Sequence, residues 1–304
     1  RSNLKPALEA AETAVKESPD FAFAAARLAE LEFSFGRVRK ARAWLDQSLR
    51  LAPRNAQALS LKGFVLAAEN QWGQALNYFE QAMARDGSLG NAWLGRGLVR
   101  IRQGALSAGR TDLQVAALLE PQRALNRSYL GKAFQETGDM PRAESELALA
   151  KRFDPNDPTA WLYSALLNQQ QNRLNEGVRD LEKSRNLNDN RSLFRSRLLL
   201  DQDRAVRSAN LAAVYQDAGL IDVAAQEAAK AVSSDAASYS AHLFLAQSYG
   251  AYLDPRQANL RYETPTVSEY LVANLLAPVG AGPLSPNISQ QEYSRLFERR
   301  RLGV

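Results

Sequence analysis

Small side chains recur at three fixed positions of a 34-residue frame along most of this 304-residue chain. If the frame starts at residues 22, 56, 90, 124 and 158, positions 8, 20 and 27 hold only glycine, alanine or serine. These residues are Ala29, Gly63, Gly97, Gly131, Ala165, Ala41, Ala75, Gly109, Ala143, Gly177, Ser48, Ala82, Ala116, Ala150 and Ser184. A fixed period of this length is typical of helix–turn–helix repeat arrays, and small residues allow two helices to cross closely. The spacing therefore predicts an all-α fold.

Other positions of the frame mark the core and the ends of the helices. Position 24 is large and apolar in Leu45, Phe79, Leu113, Leu147 and Leu181. Position 32 is proline in Pro53, Pro121 and Pro155. A proline there ends the second helix of a hairpin. Position 15 is glycine in Gly36, Gly104 and Gly138, which suits a left-handed turn between the two helices.

With Trp93 and Trp161 at position 4, this frame resembles the tetratricopeptide repeat (TPR). The resemblance implies a right-handed superhelical solenoid of helix–turn–helix repeats, in which the first helix of each repeat lines a concave groove. Position 11 departs from the family, because Glu32, Arg100 and Asn168 stand where an aromatic residue is usual. We expect weaker contacts between the helices at those places.

The frame divides the chain into five segments. Residues 1–21 fit the second helix of a truncated repeat, and residues 22–191 hold five contiguous repeats. The pattern resumes in residues 205–252 with repeats starting at 205 and 239, after an insertion at 192–204. Residues 253–304 read as a degenerate, irregular C-terminal cap and linker. A chain that opens inside a repeat is expected to be a fragment of a longer protein.

The insertion and the C-terminal segment leave alternatives open. Ser192–Arg204 has no glycine or proline, which favours a lengthened or additional helix; an extended segment over Phe194–Leu200 is the alternative. Thr266–Ala277 predicts one amphipathic helix, and a last helix would carry Tyr293, Leu296 and Phe297. The apolar run Leu271–Leu284 is interpreted as a lid on the last repeat; its alternative is docking on a neighbouring domain, the groove or a membrane surface.

Catalytic and metal chemistry is not expected. The chain has no cysteine and one histidine, His242, which removes thiolate metal sites and the usual catalytic triads. His242 falls at position 4 of the last repeat, where packing is expected. No glycine-rich phosphate loop follows a strand pattern. We therefore expect no cofactor and no enzymatic activity.

The family resemblance places candidate groove residues on the first helices. They are Glu30, Phe33, Gln57, Phe64, Asn91, Leu94, Leu98, Ile101, Arg102, Lys132, Gln135 and Gln169. This mixture of apolar platforms, amides and charges suits a protein or peptide partner whose apolar side chains fill pockets. The alternative for each apolar member is packing against the neighbouring repeat. A clamp for a chaperone's C-terminal carboxylate is not expected, because positions 5 and 9 of the first repeat are Ala26 and Glu30.

Basic residues form clusters although the net charge is only +5. Arg195, Arg197 and Arg204 make a candidate basic surface at the insertion. Solvated helix faces and helix C-termini account for such clusters in most proteins. The alternative is an anionic partner or lipid surface. Nucleic acid is not the expected partner, since its recognition needs basic residues on one continuous face with stacking aromatics.

A second resemblance covers residues 190–304. The stretches NRSLFRSRLLLDQDRAVRSANLAAVYQDAG, SYSAHLFLAQSY and SPNISQQEYSRLFERRRLG are similar to segments of large bacterial envelope proteins in which a TPR array precedes an outer-membrane β-barrel. This likeness implies the periplasm or outer membrane as the location; the cytoplasm is the alternative. No apolar run in the chain reaches the length of a membrane-spanning helix. The expected function is a non-catalytic scaffold for a protein or peptide, and the alternative is an accessory of polysaccharide export.

Overall fold

The computed structural model describes residues 4–188, 197–252 and 264–276. Within these ranges the chain forms fifteen α-helices and no strand, so the predicted all-α class is confirmed. The helices fall into two compact units, with α1–α9 in the first and α10, α11, α12 from Leu200 onward and α13–α15 in the second.

The first unit is a stack of helical hairpins. Its helices are α1 (Leu4–Glu17), α2 (Ala22–Ser34), α3 (Val38–Leu51), α4 (Ala56–Ala68), α5 (Trp72–Arg85), α6 (Gly90–Arg102), α7 (Leu106–Leu119), α8 (Ala124–Glu136) and α9 (Met140–Phe153). The pairs α2 with α3, α4 with α5, α6 with α7 and α8 with α9 pack side by side. The first helices also meet across hairpins, α2 with α4 and α4 with α6. They thereby form one continuous layer.

The second unit repeats the same arrangement. Its helices are α10 (Pro158–Gln170), α11 (Leu174–Asn188), α12 (Arg197–Asp217), α13 (Ile221–Ser234), α14 (Tyr239–Gly250) and α15 (Pro265–Leu276). Helices α10 and α11 form a hairpin, and α14 packs against both α13 and α15. Ala209 of α12, Ala228 of α13 and Phe244 of α14 share one buried apolar cluster.

Local sequence explains where these helices begin and turn. Asn55 caps α4, because its Oδ1 accepts hydrogen bonds from the backbone N–H groups of Gln57 and Ala58. Turns between paired helices use a left-handed residue, with φ of 73° at Gly36 and 62° at Asn70. Asparagine is the residue that best replaces glycine in this conformation, since its short polar side chain tolerates it.

Small residues let the helices approach closely. A Cβ atom added to Gly97 would lie 2.9 Å from the carbonyl oxygen of Gly109, so α6 and α7 touch backbone to backbone. The ring of Phe79 on α5 sits against two glycines, and a Cβ at Gly63 or Gly95 would fall 2.6 or 2.2 Å from its Cε1. Phe79 therefore fills space bounded by both α4 and α6.

The insertion and the C-terminal segment are partly described. Helix α12 has 21 residues, against 13 in the first helices α2, α4, α6, α8 and α10, and it begins at Arg197. Residues 197–204 of the insertion are therefore helical, and residues 192–196 lie outside the described residues. Helix α15 covers Pro265–Leu276, where one helix was expected. The expected linker after residue 277 and the last helix with Tyr293, Leu296 and Phe297 lie outside the described residues.

Candidate functional site

The layer of first helices in the first unit carries most of the predicted groove residues. Phe33 on α2 and Phe64 on α4 are half-buried, and the rings of Phe64 and Phe79 meet edge to face with centroids 5.0 Å apart. Gln57 and Glu30 are exposed, and Glu30 pairs with Arg27 on the same helix. This part of the surface combines aromatic rings that present an open side with polar groups in solvent.

Two polar side chains of α6 are held in place by neighbours. The Asn91 Oδ1 accepts a 2.6 Å hydrogen bond from Arg123, which also pairs with Glu120. The Arg102 guanidinium lies 5.7 Å from the ring centroid of Trp72. Such contacts pre-order a polar surface before any partner arrives, and pre-ordering lowers the entropic cost of binding.

Other predicted groove residues are buried. Leu94, Leu98 and Ile101 are at most 3 % exposed, so for these three the packing alternative describes the structure. They line the contact between α6 and its neighbours and offer almost no surface to a partner. Lys132 and Gln135 on α8 are also buried, and the Lys132 ammonium lies 2.9 Å from the Glu136 carboxylate.

The remaining predicted residues lie in the second unit or outside the description. Gln169 on α10 donates a 2.6 Å hydrogen bond to Asp217 at the end of α12. Arg197 begins α12 and Arg204 lies within it, whereas Arg195 is outside the described residues. The structure therefore groups the predicted residues of α2, α4 and α6 into one layer.

Polar contacts to an aspartate replace the aromatic contact at position 11 of two repeats. Asp112 on α7 is 2 % exposed and accepts two hydrogen bonds from Arg96 and one from Arg100. In the second unit Asp180 on α11 accepts from Ser164 and Asn168, at 2.6 and 3.1 Å. Both aspartates hold position 23, directly across the hairpin from position 11. The expectation of weaker contacts overlooked these partners, whose signal in the sequence is an acidic position 23 beside a polar position 11.

A further polar cluster joins three helices of the second unit. The Tyr215 hydroxyl on α12 donates a 2.7 Å hydrogen bond to Glu182 on α11. Glu227 on α13 is 4 % exposed and pairs with Arg185 and Lys230. Burial, the hydrogen bond to Glu182 and the nearby carboxylates raise the pKa of Tyr215 from the ordinary value of 10.0 to about 12.

His242 is buried, as its position in the frame predicted. Its Nδ1 lies 2.5 Å from a Glu269 carboxylate oxygen on α15, and its Nε2 lies 2.9 Å from the Ala236 carbonyl oxygen. Both ring nitrogens thus have a polar neighbour within hydrogen-bonding distance. The contact ties α15 to α14.

Comparisons with known proteins agree with this architecture. Two tetratricopeptide repeat family models match the sequence, one over residues 2–63 and one over residues 62–124. These matches identify residues 2–124 as tetratricopeptide repeats, and we refer to the protein as the TPR chain. No curated protein sequence matches it.

Solved structures share the TPR chain's fold at low identity. The APC/C Cut9–Hcn1 hetero-tetramer contains a chain with a TM-score of 0.75 and 16 % identity, aligned over 99 % of this chain and 53 % of that one. Yeast Tom70 gives a TM-score of 0.57 and 15 % identity, over 90 % and 55 %. The TPR chain thus spans about half the length of each. At these identities the likeness concerns the fold alone.

The described part of the TPR chain shows no metal-binding or membrane-spanning element. No group of three or more histidine, cysteine or acidic residues in residues 4–188, 197–252 and 264–276 is arranged to hold a metal ion. Among the same residues, none of the helices combines the length and apolar character needed to cross a bilayer. The repeats of the TPR chain are those of a protein-interaction scaffold.

Proposed function

We propose that the TPR chain is a non-catalytic scaffold that binds a protein or peptide along the first-helix layer of its first unit. The observation that carries this proposal is the open side of Phe33 and Phe64 beside Gln57 and Glu30. Half-buried rings give a partner's apolar side chain a surface to cover, and the exposed amide and carboxylate give its backbone hydrogen-bond partners. These aromatic, amide and carboxylate groups are the ones that a protein or peptide partner would use.

The test is capture by the TPR chain followed by affinity measurement on groove variants. A partner identified by cross-linking and mass spectrometry would be titrated against the wild type, Phe64→Glu and Gln57→Arg. Phe64→Glu places a charge on the apolar surface, and we expect about a hundredfold weaker binding. Gln57→Arg changes an exposed residue that plays no part in packing, so its loss of affinity cannot come from unfolding.

The matched control is Leu118→Glu. Leu118 lies on the second helix α7 and is 76 % exposed, so this change adds the same charge away from the first-helix layer. Binding equal to wild type is expected for the control. If the partner binds Phe64→Glu and Gln57→Arg as tightly as the wild type, the groove is not the binding surface.

The proposed location is the bacterial periplasm, as part of a larger envelope protein. Its support is the similarity of residues 190–304 to segments of such proteins. An alkaline phosphatase fusion at the native locus is expected to be active, since that enzyme folds only after export. An inactive fusion that is produced at a normal level would place the TPR chain in the cytoplasm.

The same groove provides the test for a role in polysaccharide export. Amide and aromatic groups also suit sugars, so isothermal titration with acidic and neutral oligosaccharides separates the two partner classes. Heat release at millimolar sugar that disappears in Phe64→Glu would favour the glycan. The absence of heat would leave the protein or peptide partner.

A further inference from the structure

An open pocket of about 420 Å³ lies at one edge of the first unit, where α2 and α4 begin. We call it the edge pocket; it is lined by Phe23, Ala52, Pro53, Arg54 and Asn55. Phe23 is 55 % exposed although it is a large aromatic residue. A surface aromatic with this exposure, beside a proline, forms an apolar wall that water covers poorly.

A second exposed ring extends this wall. Phe21 is also 55 % exposed, and its ring centroid lies 5.9 Å from that of Phe23 at an interplanar angle of 43°. The two rings stabilise one another at a distance typical of aromatic pairs. Together they offer an incoming aromatic side chain a preformed platform.

The polar lining of the edge pocket favours an anion. Arg54 is exposed and forms no ion pair or hydrogen bond with any residue in the described ranges. The Asn55 Oδ1 caps α4, while its Nδ2 is buried and has no acceptor among the described residues. No side chain caps the start of α2, so the positive end of its dipole at this edge also favours an anion.

We propose that the edge pocket binds an extended acidic peptide segment in which a carboxylate side chain follows an aromatic one. The aromatic ring stacks on Phe23 and Pro53, and the carboxylate pairs with the Arg54 guanidinium. This site stands apart from Phe33 and Phe64 of the first-helix groove, because it is built from Phe23 in the first turn of α2 and from the residues that precede α4.

The local charges predict how the affinity can be tuned. Asp20, the acidic residue next to Phe21, is exposed and makes no ion pair with a described residue. Its carboxylate repels an acidic ligand and weakens the field at the start of α2. Removing this charge with Asp20→Asn should therefore strengthen binding, whereas removing the charge of Arg54 should weaken it.

The experiment titrates the whole chain with acetylated octapeptides and follows backbone amide shifts by NMR. The probe carries a central Phe-Glu pair, and the matched probes carry Phe-Gln and Ala-Glu. We expect shifts at Phe23 and Arg54 with a Kd on the order of 0.1–1 mM, as befits a small peptide. The Phe-Gln and Ala-Glu probes should bind about tenfold more weakly, since each lacks one contact.

Variants test the same contacts from the protein side. Phe23→Ala and Arg54→Ala should each weaken the Phe-Glu probe about tenfold, and Asp20→Asn should tighten it by about twofold. Arg39→Ala, which removes an exposed charge from α3, is the matched control and should change nothing. All of these residues are exposed, so the variants are expected to keep the wild-type circular dichroism.

Phe64→Glu separates this proposal from the proposed function. If Phe64→Glu abolishes binding of the probe and Phe23→Ala does not, the groove holds the peptide and the edge pocket is overturned. If the chain binds all three peptides equally, or binds none of them at millimolar concentration, the edge-pocket proposal is overturned. The proposed groove is then still tested by its own experiment. Loss in Phe23→Ala and Arg54→Ala with full binding in Phe64→Glu supports the edge pocket alone.

Discussion

The hairpins α4/α5 and α6/α7 share one 34-residue frame but fill the space between their helices with opposite chemistry. In α4/α5 the fully buried Phe79 ring packs against Gly63. In α6/α7 the small residues bring the backbones together, and beside them the buried Asp112 holds two arginines. Small residues therefore set how close the helices come, while the larger positions decide whether apolar contact or charge pairing completes the hairpin.

The largest loss of stability is expected from removing the Phe79 ring, which fills the α4/α5 hairpin. Phe79→Ala removes a ring that contacts both α4 and α6, and we expect a loss of about 4 kcal/mol in the free energy of unfolding. Urea denaturation measures the total, and hydrogen exchange locates the loss, because repeat arrays open in parts. Leu118→Ala, at a residue 76 % exposed, is the control and should change the free energy by less than about 0.5 kcal/mol. If the amides of α4 and α6 are as protected from exchange in Phe79→Ala as in the wild type, the ring does not stabilise these helices.

Removing Asp112 from the α6/α7 hairpin should lower the free energy of unfolding nearly as much as removing the Phe79 ring. Asp112→Ala leaves Arg96 and Arg100 without a carboxylate in a partly buried place, and we expect a loss of about 3 kcal/mol by denaturation. A triple change of all three residues to leucine should recover most of this loss, because the unpaired charges are gone. A triple variant as unstable as Asp112→Ala would show that the shape of the network, and not its charge balance, stabilises the hairpin.

Two glycine-to-alanine changes compare a closed site with an open one. Gly95→Ala puts a Cβ 2.2 Å from the Phe79 ring, and we expect a loss of about 2 kcal/mol from overpacking. Gly73→Ala on α5 meets no atom within 4 Å and should gain about 0.5 kcal/mol, since alanine favours the helix. Thermal denaturation of the pair gives the difference. A stabilised Gly95 variant would mean that the Phe79 ring moves freely.

The smallest effect concerns the tyrosine at position 11 in the second unit. Because the pKa of Tyr215 is raised to about 12 in the folded chain, above the ordinary value of 10.0, the neutral hydroxyl is favoured by folding. Its stabilising contribution is complete below pH 10 and disappears as the pH rises through 12. Absorbance titration of tyrosinate should show one residue fewer ionising near pH 12 in Tyr215→Phe. A difference spectrum that titrates near pH 10 would contradict the burial argument.

The fold was predictable from the sequence because small residues, prolines and turn residues act locally. The polar networks around Asp112 and Asp180 could be predicted only by comparing position 11 of a repeat with position 23, which lies across the hairpin from it. The burial of Leu94, Leu98 and Ile101 depends on how closely α6 packs against all of its neighbouring helices, which a single-repeat frame does not describe. The division into two units after Asn156 has no mark in the spacing, because the frame runs through it without interruption.

The site was predictable only in part for the same reason. Phe33 and Phe64 are half-buried in the structure, whereas their counterparts on α6, Ile101 and Leu98, are buried. The edge pocket was not predicted, because Phe21 and Arg54 lie at the junctions between repeats and the proline at position 32, Pro53, predicts only the end of a helix. Its sequence signal is two exposed aromatic residues flanking the start of a helix that has no capping side chain.

The seat of the Phe79 ring has a consequence for anyone who would cut and recombine these modules. Counted along the sequence, Phe79 belongs to the segment starting at 56, yet Gly95, one of the two glycines that receive its ring, belongs to the segment starting at 90. A chimera joined at residue 90 would inherit the ring from one parent and half of its socket from the other. An exchangeable module of this protein therefore has to begin or end between the two helices of a pair. A graft is expected to fold only when Phe79, Gly63 and Gly95 come from the same parent.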